Sequence, residues 1–336
     1  MTCAPIWRAV LLPSADTNNP GDIGASGMQI QALVEGAVAE VSKILLGKEP
    51  QIRLALCCLI ARGHLLIEDL PGMGKTTLSH ALADVLGLSW KRVQFTSDLL
   101  PADILGVSVY NRNDASFTFH PGPIFTQLLL ADEINRTTPR TQSALLEAMA
   151  EGQVTVEGET RLLPDPFFVI ATQNPIHQSG TYPLPESQLD RFLMRLELGY
   201  PHPHAEREMF LRRRPVGRER VELEQRISAA QLQQMREAAG DVHASNNLLD
   251  YLQRLVAYTR TAAEFAVGLS PRGALALLEC ARTWAVMHNR GNVVPEDLQM
   301  VLPAVAAHRL VPSGDYSGDG AALVELMRRN VDVIRT

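Results

Sequence analysis

The chain has 336 residues, of which 46% are hydrophobic and 20% are charged, and its formal net charge at pH 7 is −6. This size and composition are typical of a soluble protein of about two domains, and the acidic balance argues against a general nucleic-acid binder, which needs excess Lys and Arg to neutralise phosphates. Four scattered cysteines exclude a disulfide framework, and no apolar run approaches the roughly 20 residues of a membrane span, so we expect a cytoplasmic enzyme.

Residues 1–27 have the composition of a flexible arm, because prolines and glycines interrupt them and no apolar period is sustained. From Gln29 onward, apolar residues recur at helical spacing as far as Gly47. A second helix is predicted from Gln51 to Arg62, and it leads directly into a short apolar run. The first folded domain therefore begins at about residue 28.

The stretch from Leu65 to Leu78, LLIEDLPGMGKTTL, has the order of a phosphate-binding loop: a buried strand, a glycine-containing turn and a helix start. Glycines allow backbone N–H groups to curl around phosphate oxygens, and the helix N-terminus adds positive potential. Lys75 can then reach the β- and γ-phosphates, Thr76 can ligand Mg²⁺, and Thr77 lies near the α-phosphate. The predicted nucleotide-binding residues are Pro71, Gly72, Met73, Gly74, Lys75, Thr76 and Thr77.

One position of this loop departs from the general pattern G-x-x-x-x-G-K-[ST]. The first glycine of the pattern is replaced here by Asp69. For this segment taken alone, an ordinary glycine-rich turn between a strand and a helix is therefore the alternative. The segments that follow favour the phosphate-binding loop.

Two adjacent carboxylates follow a second buried strand, in the segment LLLADEINR. The apolar run Leu128–Leu130 would deliver Asp132 and Glu133 to the carboxyl edge of a parallel sheet, where ligands bind in open α/β folds. Asp132 can hold Mg²⁺, through water or through Thr76, and Glu133 can orient and activate the attacking water. A plain acidic strand end is the alternative, but it does not account for the coincidence with the upstream loop.

A third buried strand, Phe167–Thr172, ends in Gln173 and Asn174. At this edge, Asn174 can contact the attacking water or the γ-phosphate. An Asn that precedes Pro is also a common turn former, so the residue alone leaves both interpretations open.

Two hairpins are predicted between these strands from short alternating runs of residues. The first pairs Val107–Tyr110 with Phe117–Phe119, and the second pairs Val154–Val156 with Thr160–Leu163. The pattern alone does not distinguish functional hairpins from plain surface hairpins.

The second half of the chain begins with LPESQLDRFLMRLEL, which places Arg191 and Arg195 on one helical face if this stretch is helical. An arginine-rich linker is predicted at residues 206–227. From residue 228 to residue 336 the pattern predicts an all-helical domain. Arg272 falls in the first turn of one of these helices, where a positive charge opposes the helix dipole, so we expect its partner outside that helix.

Together these segments resemble the MoxR family of AAA+ ATPases, from about Ile30 to the end of the helical domain. The stretches that carry the resemblance are LLIEDLPGMGKTTL, VQFTSDLLPADILG, HPGPIF, LLLADEINR, TQSALLEAM, FFVIATQNPI, GTYPLPESQLDRF and GLSPRGALALL. The family loop commonly reads E-D-x-P-G-x-G-K-T, so Asp69 is usual there. The implied fold is an α/β P-loop core at residues 28–205, with a parallel sheet flanked by helices, followed by a smaller all-α lid domain at 228–336.

The resemblance also implies roles for single residues in binding ATP and Mg²⁺. Lys75 and Thr76 belong to the nucleotide loop, Asp132 and Glu133 are the magnesium and water carboxylates, Asn174 is sensor one, and Arg272 is sensor two. Arg191 matches the finger arginine that reaches the γ-phosphate of a neighbouring subunit, and Arg195 is the reserve candidate. Arg272 is expected to touch the same γ-phosphate as Lys75, so that ATP clamps the lid onto the core.

The family forms homo-oligomeric rings, usually hexamers, that act like chaperones in the maturation or assembly of protein complexes, often with a partner that carries a von Willebrand A domain. Two classes of function follow for this chain: an ATP-hydrolysing ring remodeller, or a nucleotide-dependent switch or scaffold that hydrolyses slowly. The complete set of predicted catalytic residues favours the first. A dedicated activator, similar to the Rubisco-activating or magnesium-chelatase motors, is a third option, because nothing in the sequence identifies the client.

Overall fold

The computed structural model describes residues 24–112, 116–174, 180–211 and 222–333. The helices of its first part are α1 (Gly24–Ser42), α2 (Glu49–Ile60), α3 (Lys75–Leu86), α4 (Pro101–Leu105), α5 (Pro139–Glu151), α6 (Glu186–Leu189) and α7 (Pro203–Leu211). The strands of this part are β1 (Leu65–Glu68), β2 (Trp90–Gln94), β3 (Gly106–Asn111), β4 (Ser116–Pro121), β5 (Leu128–Asp132), β6 (Gln153–Val156), β7 (Glu159–Leu162), β8 (Phe168–Gln173) and β9 (Met194–Leu196).

Five of these strands form one parallel sheet in the order β2-β5-β8-β1-β9. Every residue of β5 and β8 is buried, as expected for central strands that are covered on both faces. Because all five strands run in the same direction, the carboxyl ends of β1, β5 and β8 meet at one edge of the sheet. The predicted α/β core is confirmed.

Both predicted hairpins are present, as β3 with β4 and β6 with β7. The guanidinium carbon of Arg161 in the second hairpin lies 3.9 Å from the centre of the Phe119 ring in the first. Large apolar side chains such as Phe117 and Leu162 are exposed on the two hairpins. The two hairpins are therefore neighbours that present apolar surface to the outside.

The second part of the chain is mainly helical, as predicted, but it is not all-α. Its helices are α8 (Ala229–Asp241), α9 (Asn246–Thr261), α10 (Pro271–Met287), α11 (Pro295–Ala306) and α12 (Gly320–Asn330), and a small antiparallel pair joins β10 (Phe265–Val267) to β11 (Val311–Pro312). Ser228 and Ser270 cap α8 and α10, because their side chains accept hydrogen bonds from backbone N–H groups of the first turn. Among the described helices, none has the length and apolar character needed to cross a membrane.

The helical domain shares an apolar core with one face of the sheet. Buried residues of α1, α2 and α3 belong to the same cluster as buried residues of α8 to α12. Helix α11 packs against β9, and α10 packs against α1 and α2. The contact between the two domains therefore includes the β9 side of the sheet.

Two predicted boundaries differ from the structure. Helix α1 begins at Gly24, inside the predicted arm, and the remainder of the arm lies outside the described residues. The structure describes both ends of the predicted linker: its start belongs to α7, Arg226 pairs with Glu40 of α1 at 2.8 Å, and the Ile227 N–H donates to the Val85 carbonyl. These contacts fasten the end of the linker to the core.

Candidate nucleotide-binding site

The turn between β1 and α3 has the backbone that a phosphate-binding loop requires. Gly72 (φ +86°) and Gly74 (φ +95°) lie in the left-handed region, where a side chain would be strained. A Cβ at position 74 would also lie 2.8 Å from Leu45 Cδ1. Helix α3 starts at Lys75, so the free N–H groups of its first turn lie directly after the loop.

Lys75 is buried, and its ammonium group donates to three oxygens. The acceptors are the carbonyl of Asp69 (2.6 Å), the carbonyl of Gln173 (3.2 Å) and the side-chain oxygen of Asn174 (2.9 Å). Burial lowers the pKa of Lys75, and Asp69 together with other nearby carboxylates opposes that shift. These weak neutral acceptors are groups that phosphate oxygens can replace with a stronger, charge-assisted interaction.

The residue that replaces the first glycine of the loop pattern has a structural contact of its own. Asp69 Oδ1 accepts from the N–H of Leu70 (2.7 Å), and Oδ2 accepts from the N–H of Gly199 (2.6 Å). Lys48 braces the same segment by donating to the carbonyl of Leu198 (2.7 Å). Asp69 thus fastens the loop to the segment after β9, which a glycine could not do.

Asp132 is buried at the end of β5, and its carboxylate is held from both neighbouring strands. Oδ1 accepts from the hydroxyl of Thr172 on β8 (2.5 Å). Oδ2 accepts from Nε of Arg92 on β2 (3.1 Å), and a second guanidinium nitrogen of Arg92 also donates to it. The direction of the carboxylate is therefore fixed by the order of the strands.

Glu133, the next residue, has a left-handed backbone (φ +57°) that is uncommon for a residue with a side chain. Its Oε1 accepts from Nδ2 of Asn174 (3.0 Å), and its Oε2 accepts from Nε2 of Gln94 (2.9 Å). Arg136 pairs with the same carboxylate at 3.0 Å. A strained backbone with this many side-chain contacts is typical of functional sites.

One open cleft brings most of the predicted residues together. Its lining consists of Pro71, Gly72, Gly74, Lys75, Thr76, Thr77, Asp132, Glu133 and Asn174. Met73 instead packs, partly buried, against the apolar core. The loop, the helix start and Lys75 suit a polyphosphate, and the hydroxyl of Thr76 with the carboxylate of Asp132 are the hard oxygen ligands that suit Mg²⁺.

Arg191 lies elsewhere, in the turn between α6 and β9. Its guanidinium donates to the carbonyl of Leu146 in α5 (2.9 Å). In the same turn, the N–H of Leu193 donates to the carbonyl of His64, which immediately precedes β1 (2.9 Å). The turn therefore lies at the amino edge of the sheet, opposite to the cleft.

Arg195, the reserve candidate, does not share a helical face with Arg191. Helix α6 ends at Leu189, and Arg195 belongs to β9, which pairs with β1. Its guanidinium pairs with Glu68 at 3.0 Å. The condition for a shared helical face is therefore not met, because strand pairing overrides the helical spacing of the sequence.

Arg272 is exposed in the first turn of α10, and it also lies towards the amino edge of the sheet. A Cβ built at the neighbouring Gly273 would lie 3.2 Å from Cδ of Arg309, which contacts the Arg191 turn. Burial lowers the pKa of His64 to about 4, and the charge of Arg272 adds to that shift. The length of β1, about 13 Å, separates His64 from the phosphate loop. Arg272 thus lies on the side of the Arg191 turn, and its contact with the γ-phosphate stays a prediction.

Comparisons with known proteins agree with this fold. The model of the ATPase family associated with various cellular activities (AAA) matches residues 64–194, and the model of the AAA lid domain matches residues 257–327. Chaperone MoxR1 of Mycobacterium tuberculosis is 39% identical over 88% of this chain and 80% of its own length. The chain belongs to the MoxR family of AAA+ ATPases.

Two further proteins are similar to this chain over nearly their full length. Uncharacterized protein YeaC of Bacillus subtilis is 42% identical over 91% of this chain and 95% of its own. A crystal structure described as a putative ATPase from Cytophaga hutchinsonii aligns with a TM-score of 0.83 at 33% identity, over 92% of this chain and 97% of that one. Both alignments thus extend over nearly the whole of this chain.

Sequence reasoning missed two residues of this MoxR site, Arg92 and Gln94 on β2. They are two residues apart, so both side chains lie on the same face of the strand, and each holds one of the adjacent carboxylates Asp132 and Glu133. The available signal was a polar pair in a short strand. This pair reaches the carboxylates only because β2 pairs with β5, and the local sequence does not predict that pairing.

Proposed function

We propose that this protein binds ATP with Mg²⁺ at the carboxyl edge of its sheet and hydrolyses it at a site that a second copy of the chain completes. The observation that carries the proposal is the separation of two groups. The loop, both carboxylates and Asn174 line one cleft. Arg191 and the first turn of α10, which carries Arg272, lie towards the opposite edge of the sheet, and this separation supports an action on a neighbouring chain.

Within one chain, each cleft residue has a defined task. Lys75 and the N–H groups of the loop would bind and orient the phosphates, and Thr76 with Asp132 would hold the metal ion. Mg²⁺, when bound, supplies Lewis-acid neutralisation of phosphate charge. Glu133 orients the attacking water and accepts its proton. The Asn174 side chain hydrogen-bonds to both Glu133 and Lys75 and so fixes their relative positions.

The neighbouring chain supplies positive charge to the transition state through Arg191, with Arg272 as a second group. An arginine supplied in this way acts on the charge that spreads over the γ-phosphate oxygens. A closed ring, such as a hexamer, would give every cleft a neighbour. Residues 28–205 serve as the ATPase core and 228–336 as the lid in this scheme, with 206–227 between them.

The work proposed for the ring is chaperone-like remodelling of other protein complexes in the cytoplasm. The similarity to Chaperone MoxR1 supports this function over that of a slow switch or scaffold. The exposed apolar side chains of the two hairpins are suited to contact a protein client or a partner with a von Willebrand A domain.

The experiment that tests the proposal is complementation between two inactive variants. Arg191→Ala keeps an intact cleft, and Lys75→Ala keeps an intact Arg191. Each variant alone should hydrolyse ATP slowly, and their mixture should recover activity. In a mixed oligomer, the intact cleft of an Arg191→Ala chain can face the intact Arg191 of a Lys75→Ala chain. Steady-state phosphate release of the mixture is the measurement.

Dilution of the unmodified protein gives the companion measurement. Activity per chain should fall as the oligomer dissociates, which analytical ultracentrifugation follows in parallel. An unmixed Arg191→Ala variant with full activity, or constant activity per chain in the dissociated protein, would show that one chain is sufficient and would refute the proposal.

A further inference from the structure

A buried arginine of the helical domain connects the two segments that carry the exposed arginines. We propose that Arg309 is a positioning residue that joins the turn of Arg191 and the first turn of α10 into one unit, so that Arg191 and Arg272 meet a second copy of the chain together. This inference rests on the proposed function and deepens it. It concerns a residue that would contact neither nucleotide nor neighbour.

The contacts of Arg309 converge on the turn between α6 and β9. Its Nε donates to the carboxylate of Asp190 (2.7 Å), its Nη2 to the carbonyl of Phe192 (2.7 Å), and its Nη1 to the carbonyl of Leu193 (3.1 Å). These three acceptors bracket Arg191 in the sequence. The position of the Arg191 backbone is therefore set by a side chain of the other domain.

The stem of the same side chain packs against the start of α10. A Cβ built at Gly273 would lie only 3.2 Å from Cδ of Arg309, so the glycine leaves the space that the arginine occupies. The N–H of Gly273 donates to the Ser270 side chain (3.0 Å), which fixes the turn that carries Arg272. One side chain thus contacts both arginine-bearing segments.

Burial makes this connection stiff. The Arg309 side chain is 4% exposed, and a buried guanidinium must keep its hydrogen-bond acceptors or lose much of its stabilisation. Burial lowers the pKa of Arg309, the bond to Asp190 opposes that shift, and the charge of Arg272 adds to it, which agrees with their proximity. Any shift of the helical domain must therefore move the Arg191 turn or break these bonds.

The adjacent His308 adds a weaker connection of the same kind. A ring nitrogen of His308 lies 3.0 Å from the carbonyl of Phe192. Burial holds the pKa of His308 well below its usual range, so the ring contributes a neutral hydrogen bond and not a second charge. The charged connection depends on Arg309.

A purely structural role for Arg309 is the competing interpretation. The two interpretations differ in whether the loss of hydrolysis rate adds to the loss caused by removing Arg191 and Arg272. Arg309→Lys and Asp190→Asn are made in the unmodified chain and in an Arg191→Ala/Arg272→Ala background. The measurements are single-turnover hydrolysis, affinity for a fluorescent ATP analogue, and sedimentation. Arg290→Lys, which alters an ion pair with Asp297 inside the helical domain, is the matched control.

In the unmodified chain we expect Arg309→Lys to lower the hydrolysis rate about 100-fold, the size of effect that misplacing a reacting group produces, with ATP affinity and assembly unchanged. Asp190→Asn, which keeps the arginine, should lower the rate about tenfold and covers the case in which Arg309→Lys does not fold. In the double-alanine background neither should lower the rate by more than about twofold, because the groups they position are gone.

Three outcomes would overturn the inference, and two of them concern the variants themselves: no loss of rate for a folded Arg309→Lys or Asp190→Asn chain, or an equal loss in both backgrounds. A loss of the same size for Arg290→Lys would also overturn it, because the effect would then belong to any ion pair of the domain. If Arg191→Ala and Arg272→Ala themselves leave the rate unchanged, the proposed function fails, which is a separate result.

Discussion

The two edges of the five-stranded sheet differ in how fully their polar side chains are hydrogen-bonded. At the carboxyl edge, Lys75, Asp132, Glu133 and Asn174 already satisfy one another or neighbouring strands through hydrogen bonds. At the amino edge, Arg272 is exposed and Arg191 makes one side-chain contact, to a backbone carbonyl, within the described part of the chain. In the proposed function, a pre-organised cleft on one edge and available cations on the other would make each chain half of two sites.

The largest effect on nucleotide binding is expected at the carboxyl edge, from Lys75→Ala. Its buried ammonium group is in place to contact the phosphates through strong charge-assisted hydrogen bonds, so we expect a loss of ATP affinity of about 10³-fold. Titration with a fluorescent nucleotide measures it, and Lys91→Ala, an exposed lysine on β2, is the control. Unchanged affinity in Lys75→Ala would remove the basis for the cleft assignment.

Glu133→Gln should separate binding from chemistry at the same edge. The amide retains the size of the side chain but cannot accept the proton of water, so hydrolysis should fall about 10²- to 10⁴-fold while ATP binding is retained. Single-turnover hydrolysis measures the loss of rate, and nucleotide titration of the same preparation measures whether binding is retained. Loss of binding together with hydrolysis would mean that Glu133 is a structural residue.

Arg272→Ala sharpens the comparison between the edges. It tests whether Arg272 acts on the nucleotide of its own chain or on the nucleotide of a neighbouring chain. We expect a decrease in rate of about 10²- to 10³-fold, the range for removing one charge-stabilising donor. Mixing with Lys75→Ala should restore activity if Arg272 acts on a second chain. Failure to restore activity, when Arg191→Ala is restored under the same conditions, would place Arg272 at the cleft of its own chain.

Arg92→Gln tests the contact between β2 and Asp132, the proposed magnesium ligand. Arg92 donates to Oδ2 of Asp132 and places a positive charge beside the ion site, so its removal should lower the Mg²⁺ concentration for half-maximal activity about tenfold. Thermal stabilisation by Mn²⁺ with ADP provides a readout independent of turnover. A raised Mg²⁺ requirement would instead mean that Arg92 is needed to orient Asp132.

The smallest effect concerns stability away from both edges. Hydrogen bonds from Lys43 and Arg226, opposed by burial, lower the pKa of Glu40 to about 2, so the carboxylate stabilises the fold at neutral pH. Glu40→Gln should lower the free energy of unfolding by about 1 to 3 kcal/mol at pH 7. Because the folded pKa is depressed, the difference should fade as the pH falls from about 4.5 towards 2.

The control for this experiment is Glu35→Gln. Glu35 pairs with Arg53 on the surface, where exposed ion pairs contribute about 0 to 1 kcal/mol. Urea unfolding at pH 7 and pH 3 measures both variants. Equal losses for the two variants, or a Glu40→Gln loss that persists unchanged at pH 3, would contradict the assignment.

Several features of this molecule follow from short stretches of sequence. The left-handed positions Gly72 and Gly74, the start of α3 at Lys75 and the strand that ends at Asp132 are local, because each depends on a few consecutive residues and their backbone preferences. The hairpins and the capped helices α8 and α10 are local for the same reason. Such features are readable without knowledge of the tertiary structure.

The tertiary structure alone decided which distant groups meet. Arg92 and Gln94 reach the carboxylates because β2 pairs with β5, and Arg195 leaves the face of Arg191 because β9 pairs with β1. The first turn of α10, which carries Arg272, meets Arg309 and the Arg191 turn because α10 and α11 pack on α1, α2 and β9. Strand order and domain packing arise from burial of apolar surface summed over the whole chain, so no short segment encodes them.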